Sequence, residues 1–344
     1  MNFAKFLILA CMLVCASFAP VSAQWLKQSV DTTASLRGLA VVNEKVIWAS
    51  GTGGTVIRTI DGGRIWKVMT VPGAEKLDFR DIEAFDQFTA YILSIGNGEN
   101  SRIYKTTDGG KTWNLEFKNT DEKAFFDAIA CWDKNSCIAM SDPVEGAFLL
   151  IYPVITLVRG PERLSWAATR DPMPVAKVGE SAFAASGTCL ITQGGFNFFI
   201  VSGGSDARVF RSVGGSGTWT VSDTPIVKGT PGSGIFSIAM YDFKNGVIVG
   251  GNYEKPEQNT NNLAFTTDSG ETWKLGSGLS GYRSGVTYVD SKTIIAVGTN
   301  GSDITNDGGK TWKKVGDENL NAVQAKGKRA VWAVGPTGMV AKMK

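Results

Sequence analysis

The chain has 344 residues, 43% of them apolar, which is enough for one large core, and 41 glycines with no G-x-y period, which excludes a collagen-like fibre and points to many tight turns. A formal net charge of +3 with no basic stripe argues against nucleic acid as a partner. The absence of histidine removes Ser-His-Asp triads, Cys-His pairs and histidine-ligated zinc.

In chain order, the first element reads as a secretory signal. Lys5 supplies the positive charge, residues 6–15 the apolar stretch, and Val21-Ser22-Ala23 a small-x-small cleavage site. The apolar run is shorter than the roughly 20 residues that a membrane span needs. The expectation is a signal at 1–23, a single mature domain at 24–344, a secreted or periplasmic location, and no membrane span after cleavage. Three cysteines then remain. Cys131 and Cys137 flank a polar turn on neighbouring strands and form the candidate disulfide, while Cys189 reads as a buried small hydrophobe.

An eight-residue pattern then recurs. Thr59-Ile-Asp61-Gly-Gly63-Arg-Ile-Trp66 is followed by Thr106-Thr-Asp108-Gly-Gly110-Lys-Thr-Trp113, Thr266-Thr-Asp268-Ser-Gly270-Glu-Thr-Trp273 and Thr305-Asn-Asp307-Gly-Gly309-Lys-Thr-Trp312. Ser212-Val-Gly214-Gly-Ser216-Gly-Thr-Trp219 is a decayed copy. Asp and Gly are turn formers, supplying side-chain-to-backbone bonds and positive φ, and each Trp opens the next strand. Asp61, Asp108, Asp268 and Asp307, with their tryptophans, are therefore read as structural. Identical residues in every repeat serve the repeat, whereas an active site has one centre.

Alternating apolar segments precede each turn, so that one unit is three strands, the turn and a fourth strand, which is a propeller blade. Inner strands are expected at 39–41, 82–85, 129–131, 183–185, 238–240 and 323–325. Trp25, Trp66, Trp113, Trp166, Trp219, Trp273 and Trp312 fall about 40–54 residues apart, giving seven blades. The final unit lacks a fourth strand, and residues 25–30 are expected to supply it, closing the ring and its sheet edges. The predicted fold is an all-β, seven-bladed propeller of four-stranded antiparallel blades. The third blade lacks its turn motif. Residues 147–158 are read as either two strands with a divergent turn or a local insertion.

The repeated turn resembles the Asp box, or bacterial neuraminidase repeat. Gly179-Glu-Ser-Ala-Phe-Ala-Ala-Ser-Gly187, Ala207-Arg-Val-Phe-Arg-Ser212, Gly234-Ile-Phe-Ser-Ile-Ala239 and Gly281-Tyr-Arg-Ser-Gly285 further resemble the photosystem II stability/assembly factor family and its exported bacterial relatives. That resemblance implies a scaffold or assembly role through protein binding, without tying this chain to a photosystem.

The first residues of the inner strands ring the channel mouth of a propeller. Across the blades that position gives Arg37, Arg80, Asp127, Ser181, Phe236, Ser284 and Asn321, with Glu180 and Arg283 one residue earlier and Asp142 after a second strand. The candidate ligand-binding set is Arg37, Arg80, Asp127, Asp142, Glu180, Tyr282 and Arg283. Arginine forks suit carboxylates and phosphates. The expected partner is thus a protein or peptide tail, or an acidic glycan, bound by a monomer. The bland alternative is that these charges pair with one another and fill a wet channel.

Catalysis, if any, would be glycoside hydrolysis by two carboxylates or by a tyrosine aided by an acid. Arg37, Arg80 and Arg283 with Tyr282 mimic the sialidase set, yet the Arg-Ile-Pro opening of sialidases is absent from Ser35-Leu-Arg-Gly-Leu39. No metal or cofactor is expected, since no Asp-x-Asn-x-Asp cluster or phosphate loop occurs.

Overall fold

The computed structural model describes residues 25–156, 163–169, 173–215 and 217–344. The signal segment lies outside these residues. Seven antiparallel sheets follow one another along the chain. Blade one comprises Leu36–Val41, Ile47–Gly51, Thr55–Thr59 and Lys67–Thr70, and blade two Phe79–Ala84, Ala90–Ser94, Arg102–Thr106 and Asn114–Lys118. The order within each is sequential from the channel outward. Large apolar side chains pack between consecutive blades. Trp48 of blade one is buried with Phe79, Ile82 and Ile92 of blade two. Trp332 of blade seven is buried with Ile47 and Ile57 of blade one and meets Trp66 edge-on at 5.6 Å.

The ring closes through its two ends. Trp25–Lys27 pairs antiparallel with Val340–Met343, matching Trp25 to Met343 and Lys27 to Ala341. Blade seven therefore takes its outer strand from the start of the chain, as the missing fourth strand predicts.

The Asp boxes form one repeated turn. In all four, Asp Oδ1 accepts the backbone amide four residues on at 3.0 Å. The threonine two residues earlier donates to that same oxygen and accepts the amide of the glycine two residues after the Asp. Hydrogen bonds to the charged form hold these carboxyls below their usual range, Asp268 down to about 2. That glycine also needs its missing side chain. Gly309 has φ +90°, and a Cβ there would meet the Phe265 ring at 2.2 Å. Four residues thus spend their polar atoms on local backbone, which explains their repetition without chemistry.

Blade three is regular. Ala147–Thr156 pairs with Ser136–Val144 on one side and Arg163–Ala168 on the other, with Pro153 opposite Trp166. Residues 147–156 form a single strand, neither the two strands nor the insertion expected within 147–158, and its outer partner begins only at Arg163; the connection at 157–162 lies outside the described residues. Cys131 and Cys137 sit directly opposite each other on blade three and are joined by a disulfide. Cys189 is a buried free thiol.

Blade four departs from expectation. Its inner strand is Leu190–Gln193, paired with Asn197–Val201, and residues 183–185 are not in a strand. Instead Glu180–Ser181 and Gly203–Gly204 extend the sheet of blade five inward to six strands. Alternation cannot separate this apolar segment from a strand. Long-range contacts decide it: Phe183 stacks on Phe236 at 3.8 Å, and the Ala184 and Ala185 carbonyls accept from arginines of blades two and one.

Candidate functional site

The mouth of the channel holds a cavity of about 410 Å³. Inner-strand starts bring Arg37, Arg80, Asp127, Phe236, Ser284 and Asn321 to its wall. Asp142 and Tyr253 arrive at or just beyond the upper ends of second strands, and the segment carrying Phe183 completes one side. Five of the seven candidate residues, Arg37, Arg80, Asp127, Asp142 and Tyr282, thus stand around one cavity.

The two guanidiniums lie side by side. Arg37 Nη1 donates to the Ala185 carbonyl at 3.1 Å, and Arg80 Nη1 to that of Ala184 at 3.2 Å. Arg80 Nε is paired with Asp78 at 2.7 Å, whereas Arg37 has no ion-pair partner among the described residues. Burial, and then the neighbouring Arg80 charge, lower the pKa of Arg37, partly offset by Tyr282 and Asp78. Guanidinium groups stay charged across the working pH range. The result is an undercompensated positive pole on the cavity wall.

Blade three, next around the ring, supplies two carboxyl groups. Burial raises the Asp127 carboxyl well above its ordinary value, reinforced by Asp142. Asp142 Oδ1 accepts the Ala182 amide at 2.7 Å, yet burial pushes this acid up to about 6. Asp81 sits behind them, its two oxygens accepting the Ile82 and Ile129 amides at 2.8 Å, and burial pushes it up to about 7. Aromatic rings line the rest of the wall. Phe236 stacks on Phe183 and takes the Tyr282 ring edge-on at 4.7 Å. Burial raises the Tyr282 phenol, so it stays protonated at neutral pH.

Glu180 and Arg283 do not reach this cavity. Arg283 stands one residue before the mouth position Ser284 and turns into its blade, whereas Glu180 and Ser181 lie on an added strand of the blade-five sheet and Ser181 does not line the cavity; Glu180 and Arg283 are each consumed by a buried ion pair. Glu180 accepts from Arg208 Nε at 2.9 Å and from Ser202 at 2.6 Å. Arg283 Nε donates to Asp303 at 2.8 Å, and its other nitrogens to Tyr282, Asn300 and Ser280. The three-arginine sialidase-like set is therefore not assembled. The lining residues not expected at the mouth are Phe125, Tyr253, Thr299 and the segment 182–185. Tyr253 and Thr299 follow the second strands of blades five and six, as Asp142 closes that of blade three, so the rule that found Asp142 would have found them.

The raised carboxyls of Asp142 and Asp81 set a pH dependence. Raised native pKa values mean that the unfolded chain, with Asp near 3.9, releases protons that the native state keeps. Native stability therefore falls as pH rises from about 4 through about 6–7. Asp142→Asn keeps an acceptor for the Ala182 amide and removes one of these groups. Its stability relative to the parent is expected to improve by on the order of 1–2 kcal/mol between pH 4 and 7, measured as urea unfolding at each pH.

These features define a class: a seven-bladed Asp-box propeller with a charged, aromatic-lined channel mouth. The particular likeness is to the photosynthesis system II assembly factor YCF48, whose family model matches residues 18–121. Two solved YCF48 structures share the fold. YCF48 bound to D1 peptide superimposes with a TM-score of 0.65 at 16% identity, covering 94% of this chain and 98% of that one. YCF48 from Cyanidioschyzon merolae gives 0.66 at 18% identity, covering 93% and 98%. U3-55K also matches, at 0.58 and 11% identity over 94% and 98%. No curated protein matches the chain.

Proposed function

We propose that this chain is a non-catalytic, monomeric propeller with an assembly or scaffold role outside the cytoplasm, holding an anionic group of a polypeptide in the channel mouth. The carrying observation is the Arg37–Arg80 pair, in which Arg37 has no carboxylate partner among the described residues. Two adjacent guanidinium forks suit a peptide carboxylate, either a C-terminus or an acidic side chain. The solved YCF48 structure with a D1 peptide supports the reading by showing a peptide held by a protein of this fold. The signal segment and the Cys131–Cys137 disulfide support an extracytoplasmic site, where such bonds persist.

An acidic glycan is the other ligand that this chemistry admits. A glycoside hydrolase would have to work with Asp127 and Asp142 alone, because Glu180 and Arg283 are withdrawn into ion pairs and Tyr282 is held protonated.

The test is capture of partners from the native secretome by the mature protein beside an Arg37→Ala/Arg80→Ala variant, followed by titration of the partner. Each lost charge-assisted bond is worth about 1.5–3 kcal/mol, so the double variant is expected to bind at least about a hundredfold more weakly. A partner held equally by both proteins refutes the site. Turnover of an aryl glycoside, abolished by Asp127→Asn, refutes the non-catalytic reading.

A further inference from the structure

The acidic side of the mouth has acceptor capacity that the protein leaves unused. Asp127 is 1% exposed, lines the cavity, and its Oδ2 has no hydrogen-bond partner. Three other buried carboxylates of this chain are matched by cations, Glu180 by Arg208, Asp206 by Lys177 and Lys228, and Asp303 by Arg283, and a fourth, Asp81, has both oxygens on backbone amides. Asp127 and Asp142 have no ion pair among the described residues. The groups around them are Arg80 from blade two, Asp81 with both oxygens on backbone amides, and the buried Cys189 thiol. None of these donates a hydrogen bond to Asp127 Oδ2. A buried acceptor without a donor is costly, and a site that leaves one open is completed by what binds there.

We propose that Asp127 and Asp142 form a second subsite of the mouth, which takes an ammonium or guanidinium group. This rests on the peptide-binding reading above and sharpens it: the ligand is a dipolar peptide segment. Its carboxylate lies against Arg37 and Arg80, and the side-chain cation of a nearby lysine or arginine lies against Asp127 and Asp142. The aromatic wall of Phe183, Phe236 and Tyr253 gives the apolar stem of such a side chain a surface to cover. The two poles stand on neighbouring blades, so one short segment can span them. A peptide offering only negative charge would leave Asp127 Oδ2 without a partner.

The test uses the full mature protein and short peptides ending in a free carboxylate, with lysine second, third or fourth from the end, each beside its norleucine counterpart. Calorimetric titration is expected to show, at one spacing, lysine binding about tenfold or more tighter than norleucine, as a charge-assisted bond requires. Asp127→Asn should erase that advantage, so that the lysine and norleucine peptides bind the variant alike. Asp142→Asn, which retains its backbone contact, should reduce it and serves if Asp127→Asn fails to fold. No lysine advantage at any spacing, or one that survives both substitutions, overturns the second subsite. C-terminal amidation separates the two ideas: amidated peptides that bind as well as free acids overturn the arginine reading whatever lysine does. If no peptide binds, both fall.

Discussion

Replacing Asp303 by alanine is expected to destabilise the protein by about 3–5 kcal/mol, the usual cost of stranding one partner of a buried ion pair. Arg283 is fully buried and Asp303 is 1% exposed. The remaining contacts of Arg283, to the Tyr282 carbonyl at 2.6 Å, Asn300 at 2.7 Å and Ser280 at 2.6 Å, are all neutral acceptors. They orient the guanidinium but leave its charge uncompensated once the carboxylate has gone. Burial lowers the pKa of Arg283, and Asp303 is the first of the groups that oppose this, ahead of Glu257. The Ser280 amide, which donates to Asp303 at 3.0 Å, would be orphaned as well. An Arg283→Met/Asp303→Leu double variant removes both charges and should recover much of the loss, because desolvation is no longer charged against either group. Urea unfolding midpoints of the single and double variants check this. Equal destabilisation of both would show that the hydrogen bonds, and not the charge pair, hold blade six at this point.

The same pair shows where reading the sequence stops. Arg283 looks like a mouth residue because it is charged and stands next to the mouth position. Side chains on an extended segment alternate sides, so one residue of register moves it from the cavity into the protein. Its partner lies on the third strand of blade six, inside Gly301-Ser-Asp-Ile-Thr305, where an alternating pattern gives no hint of a buried carboxylate. Glu180 fails because the inner strand of its blade lies at Leu190–Gln193 and its own short strand joins the neighbouring sheet, its partner Arg208 being 28 residues away. Arg37, Arg80 and Asp127 were legible because each stands near the start of an inner strand, at a position that the repeat fixes independently in three blades. The Asp boxes were legible because every bond that defines them spans four residues or fewer. Residues 183–185 were misread because their conformation is set by Phe236 and by two arginines from the opposite end of the repeat count, contacts that no local pattern carries. Local devices are written in the sequence, and cross-blade pairings emerge only when the ring closes.

Ring closure itself yields the other large effect. Trp25→Ala is expected to cost about 3–5 kcal/mol, as for other buried tryptophans cut back to alanine. Trp25 is 4% exposed and clusters with Ile295 and Val297 of blade six and with Val323, Val331 and Ala333 of blade seven. Its indole Nε1 donates to Ser302 Oγ of blade six at 2.9 Å. The residue therefore joins two blades while its strand completes one of them. Trp66 occupies the corresponding place at blade one but is only half-buried, and its neighbour Trp332 is retained by the blade-seven core. Trp66→Ala should accordingly cost less than Trp25→Ala. Removing residues 25–30 altogether should cost more than either, since it also strips the hydrogen bonds to Val340–Met343 and leaves that strand as an open edge. Thermal and urea unfolding of the three variants ranks them. If Trp66→Ala proves as damaging as Trp25→Ala, the closing strand adds no more than any other outer strand, and the stability of the ring does not depend on its seam.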